Sequence, residues 1–80
     1  MLENIMDYYS DEEFLIADGF NDAIIGVDIS SMRLIYSTKK CIEILMESDM
    51  TYDEAVEFFD FNVSGSYMGE KTPIWCDDQY

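Results

Sequence analysis

A run of β-branched residues, Ile24, Ile25, Val27 and Ile29, breaks at Ser30-Ser31 and is followed by the apolar Leu34-Ile35-Tyr36; nothing else constrains this chain as much. Such residues favour pleated, half-buried surfaces, and the serine pair marks a turn. The run reads as a strand over 23–29, a turn near 30–32 and a second strand over 33–36. An isolated hairpin is marginal in water, so these strands need a cover and a third partner. Gly26 inside the first strand points to a bulge or to close approach by another backbone.

The cover follows directly. After a cap at Ser37 or Thr38, the segment KKCIEILMESD places Cys41, Ile42, Leu45 and Met46 on one helical face, with Glu43 and Glu47 on the other. Lys39 and Glu43 stand at i,i+4, where a pair contributes a few tenths of a kcal/mol, roughly. A second helix opens with a capping box from Thr51 to Glu54. Its buried stripe reads Tyr52, Ala55, Val56, Phe59 and Val63, and its acidic stripe Asp53, Glu57 and Asp60. The link at Asp49-Met50 is short, so the two helices are expected to pack antiparallel.

The stretch FNVSGSYMGEKTPIW then breaks the helical pattern. Either the helix runs on through Ser64, Gly65, Ser66 and Tyr67 to stop at Gly69, or VSGSY is a loop turning at Gly65. An interior Gly65 would cost about 1 kcal/mol against Ala, and would let the helix lie close to the hairpin or to a second copy. Gly65 and Gly69 are therefore the expected close-packing face. Pro73 forbids resumption of the helix. TPIW reads as a final strand on the hairpin edge, burying Ile74 and Trp75.

Ahead of the hairpin, Leu2, Ile5, Met6 and Tyr9 stand at helical spacing, so residues 1–13 form an amphipathic helix or a loosely held arm. Ser10 followed by acids predicts a short helix through Phe14–Ala17 that stops at Gly19. Residues 76–80 are expected to fray. The expected fold is one small α+β domain over 1–80, in the order ββααβ after a helical N-terminal segment. A core so small leaves a thin stability margin.

Charge narrows the function. Eighteen acidic residues face four basic ones, Arg33, Lys39, Lys40 and Lys71, for a net −14 with no histidine. Direct binding to nucleic acid or to an anionic membrane needs clustered cations, which this chain lacks. Without histidine there is no Ser-His or Cys-His pair and no imidazole metal site. DGFND lacks both phosphate-loop patterns, and DGFNDAIIGVD has the wrong spacing for a calcium loop. Asp18 and Asp22 are explained by turn chemistry. The expectation is a protein without catalytic residues, cofactor or metal. Cys41 and Cys76 form no CxxC motif and are expected reduced, with Cys41 buried. No run approaches the ~20 apolar residues of a membrane span, and no secretory leader is recognised, so a cytosolic setting is expected.

Two features remain for a partner. Asp53, Glu57 and Asp60, with Glu43 and Glu47 on the neighbouring helix, present negative charge that could imitate a phosphate backbone and occupy a basic groove of another protein. Net charge of this size also keeps a small protein dispersed. Phe58, Phe59 and Phe61 spread too widely around a helix to share one buried stripe, so at least one meets the hairpin, another copy or a partner. These features support a protein-binding module, with self-assembly through the aromatics and the Gly65–Gly69 face as the alternative.

The segments ADGFNDAIIGV and KCIEILMESDMTYDEAVEFFDFNVSGSYMGEKTPI resemble a family of small uncharacterised proteins encoded by bacteriophages and prophages. The resemblance covers about residues 14–75. It is most specific from Met50 to Ile74, in the Thr51–Glu54 box, Phe59, Phe61-Asn62-Val63, Gly65, Tyr67, Gly69-Glu70 and Thr72-Pro73-Ile74. It brings no established activity and no functional residue. It implies a phage setting, hence the host cytoplasm, where small acidic proteins commonly act by binding a host or defence protein; inhibition of that protein is one expected outcome.

Overall fold

In the computed structural model, which describes residues 1–65 and 69–79, the chain is a small α+β domain. Helix α1 (Leu2–Tyr8) leads through an irregular segment and a short 3-10 turn (Asn21–Ala23) to the hairpin β1 (Ile24–Asp28) and β2 (Arg33–Ser37). Helices α2 (Thr38–Glu47) and α3 (Tyr52–Phe59) follow, then a π turn (Asp60–Ser64) and the strand β3 (Ile74–Cys76). The sheet order is β1-β2-β3, antiparallel between the first two and parallel between β2 and β3. A parallel pair needs a crossover, and the α2–α3 unit supplies it.

The hairpin forms where the β-branched run predicts. Its turn is tied by Asp28, whose carboxylate accepts from the Ser30 amide at 3.2 Å, the Ser30 hydroxyl at 2.9 Å and the Ser31 hydroxyl at 2.7 Å. These bonds, led by that from Ser31, hold the Asp28 carboxyl below its usual pKa. Ile24 pairs with Tyr36 but Gly26 pairs with Ile35, so Ile25 is the extra residue of a β-bulge. The bulge is the whole account of this position, since nothing lies within 4 Å of where a Gly26 Cβ would stand.

Leu34 and Tyr36 alternate inward from β2 and are fully buried. They join Ile5, Phe20, Ala23, Ile24, Cys41, Ile42, Leu45, Ala55 and Phe59 in one core. Trp75 packs at its margin, its ring 5.1 Å from that of Tyr36 and 5.4 Å, edge on, from that of Phe59. Ile74 and Trp75 are half-buried rather than buried. Both cysteines are free thiols, and burial pushes the Cys41 thiol up to about 12. Among the described residues no helix is long and apolar enough to cross a membrane.

Several local expectations change. Residues 14–17 are not helical. So short a helix would leave more end groups unsatisfied than it bonds. The Ala17 amide instead donates to the Tyr36 hydroxyl at 2.8 Å, and Gly19 turns the chain at φ +91. Tyr52 is exposed rather than part of the buried stripe, its hydroxyl donating to Gln79 at 3.3 Å, and Met46 is exposed as well. The segment expected to fray makes specific contacts: Cys76 pairs with Ser37, and Asp78 accepts from the Ser37 hydroxyl at 2.8 and 2.6 Å and from the Lys39 amide at 3.3 Å. Ser37 is thereby both the N-cap of α2, accepting from the Lys40 amide, and the anchor of the last strand.

Candidate functional site

The surface worth explaining lies on α3 and the π turn that continues it. Thr51 and Glu54 close the expected capping box in both directions: the Thr51 hydroxyl accepts from the Glu54 amide at 3.2 Å, and the Glu54 carboxylate from the Thr51 amide at 2.9 Å. The latter bond holds the Glu54 carboxyl below its usual range. From this fixed start, helical spacing turns Ala55 and Phe59 into the core. Phe59 is 4% exposed, while Phe58 is 39% and Phe61 77% exposed. The three phenylalanines therefore separate, one inward and two outward.

Helical geometry alone does not place Phe61, because the chain is no longer α-helical there. Residues Asp60–Ser64 form a π turn, wider by one residue per hydrogen-bonded ring, which occurs disproportionately at functional sites. Asn62 secures it by donating to the Phe58 carbonyl at 3.3 Å. Gly65 follows as the cap with ordinary right-handed dihedrals. A Cβ there would come 3.0 Å from the Asp60 carbonyl oxygen, so the missing side chain serves the chain's own backbone. Gly69 has φ +99, with nothing within 4 Å of its Cβ position. The two glycines assigned to a close-packing face thus each have a local backbone reason. Helix continuation through Ser66 and Tyr67 falls outside the described residues.

The exposed aromatics are not isolated. Phe58 and Phe61, with Met50 from the α2–α3 link, line a shallow groove of about 360 Å³ together with Glu54, Glu57 and Asn62. The acids expected to face a partner are all exposed: Asp53 and Glu57 on α3, Asp60 at its end, Glu43 and Glu47 on α2. Helices α2 and α3 pack on each other, but only Glu57 of those five lines the groove. Glu54, which lines it too, is in the sequence a capping-box residue, and Met50 a connection. The sequence signal for such a groove is the surplus of phenylalanines over what one buried stripe holds.

Of the four cations, Lys39 and Lys40 stand exposed in the first turn of α2, and the other two are engaged elsewhere. Arg33 donates to the Thr72 carbonyl at 3.2 Å, and Lys71 to the Ser31 and Met32 carbonyls at 3.4 and 3.3 Å, clasping the hairpin turn to the segment before β3. The ion pair found among the described residues joins Lys71 to Glu12 at 3.7 Å. Lys39 and Glu43 do not close into one. Asp53, Glu57, Asp60, Glu43 and Glu47 therefore carry no paired cation among the described residues. Nor do three His, Cys, Asp or Glu side chains of the described residues converge as a metal-binding group would need. The chain matches no protein-family model, no curated protein and no solved structure.

Proposed function

We propose that this protein is a non-enzymatic phage accessory module that binds a host or defence protein through the acidic face of α3 and inhibits it by occupying a basic surface. One observation carries the reading. Asp53, Glu57 and Asp60 stand exposed without a paired cation among the described residues, in a chain of net charge −14. Such a field speeds encounter with a basic partner and repels acidic ones. The phage setting rests on the sequence resemblance alone.

The test is a pull-down from bacterial lysates, with and without competing DNA, using the native chain and the Asp53→Lys, Glu57→Lys, Asp60→Lys triple variant. Capture by the native chain and loss by the variant is the expected result. Displacement by DNA would identify the target surface as a nucleic-acid groove, and retention in DNA would place it on another basic face. Equal capture by both chains would overturn the reading.

A further inference from the structure

We propose that the groove formed by Met50, Phe58 and Phe61 docks a basic amphipathic helix of the partner, with aliphatic side chains entering the groove and Lys or Arg meeting its rim. This rests on the acidic-face reading above, with which the groove shares Glu57, and names the chemistry of a partner that would cover both.

The lining of the groove has the polarity for such an occupant. At about 360 Å³ it lies near the lower end of the roughly 300–1,000 Å³ of ligand pockets, room for a few side chains rather than a folded body. Met50, Phe58 and Phe61 make part of its lining apolar and aromatic, Glu54 and Glu57 add carboxylates and Asn62 an amide, and no basic residue among the described residues lines it. Phe61 is the largest single cue: a phenylalanine 77% exposed gains most from a partner that covers it. Its place on a π turn beside the capped helix α3 fixes the backbone that presents it.

Charge complementarity decides among occupants. A second copy docked about a two-fold axis would bring Glu54 and Glu57 against a chain of the same −14 charge. Nucleic acid would meet carboxylates without a cation. A partner that used only a phosphate-binding face would set charged walls against Phe58 and Phe61. Alternating aliphatic and basic residues match both parts of the surface: aliphatic anchors at i, i+3 and i+4 enter the groove, and Lys and Arg stems cover apolar area while their heads reach the acids. Guanidinium groups can also stack on the exposed phenylalanine faces.

The experiment titrates fluorescent peptides of about four helical turns against the intact protein. One alternates Leu and Lys at helical spacing, a second carries the same Lys residues with Ser for Leu, and a third keeps Leu with Glu for Lys. The Leu/Lys peptide is expected to bind about tenfold more tightly than the Lys/Ser one, and the Leu/Glu peptide not to bind. Phe61→Ser is expected to remove that advantage while leaving the Lys/Ser affinity and the melting temperature unchanged, and Phe58→Ser to weaken the same peptide. Equal binding of the Leu/Lys and Lys/Ser peptides, or no effect of Phe61→Ser, would overturn the groove. So would dimerisation of the native chain that Phe61→Ser abolishes, which would make a second copy the occupant. Where a lysate partner is lost on charge reversal but kept by Phe61→Ser, the acidic-face reading stands and the groove falls. Where both variants keep it, both readings fall.

Discussion

Tyr36 holds together two parts of the chain that local rules keep apart. Its ring is fully buried on the central strand, and burial raises its hydroxyl above the usual tyrosine range. The same hydroxyl accepts the Ala17 amide, nineteen residues away in sequence. Tyr36→Phe removes the acceptor and leaves the Ala17 amide without that bond, so a loss of about 1–3 kcal/mol in urea unfolding is expected, with faster exchange of the Ala17 amide proton. Cys41 makes a kinetic prediction instead. With its thiol buried and pushed up to about 12, it should react with a disulfide reagent only as the domain opens, well after Cys76. Burial of Cys41 was legible from its helical face. The Tyr36–Ala17 bond was not, because it joins a strand to an irregular segment that no periodicity marks, and the short helix assigned to 14–17 fills the place of that missing knowledge.

Among the elements, those with strong local chemistry were readable in advance. The capping box and the hairpin depend on a few neighbouring residues and form as read, and of the alternatives open at Ser37 or Thr38 and at Gly26 the structure takes the Ser37 cap and a bulge. Glu54 ties one of them to pH. Its folded carboxyl lies below the unfolded value, so its contribution is full above the ordinary carboxylate range, about pH 4, and is lost as pH falls through the lower folded value. Glu54→Gln keeps an amide oxygen for the Thr51 amide and should therefore flatten the acid limb of the stability curve, measured by thermal melts. The π turn was unreadable because the sequence FFDFN satisfies an α-helix until Gly65 is placed against the Asp60 carbonyl. Gly65→Ala should consequently fail to deliver the roughly 1 kcal/mol that Ala usually gains over Gly in a helix, in equilibrium unfolding. The same turn explains the partial legibility of the groove. The excess of phenylalanines could be counted, whereas the emergence of Phe61 beside Met50 depended on a backbone widening.

For the whole molecule, repulsion acts over its full width. The domain measures 39 × 23 × 23 Å, so at about 0.01 M salt, where the Debye length is roughly 30 Å, every acid acts on every other across the short axes. At about 0.15 M the length falls to roughly 8 Å and only near neighbours count. Raising salt over this range should therefore raise the melting temperature, by about 4–8 °C for each kcal/mol of repulsion removed. A fall on adding salt would mean that the Asp78 and Lys71 ties outweigh the repulsion.

The parallel pairing of β2 with β3 also sets how the domain can open. Where residues 74–76 detach, β2 is left with an unpaired edge and Tyr36 loses the Trp75 ring packed against it. Release of three residues is thus enough to give the domain a strand edge that another chain can pair with.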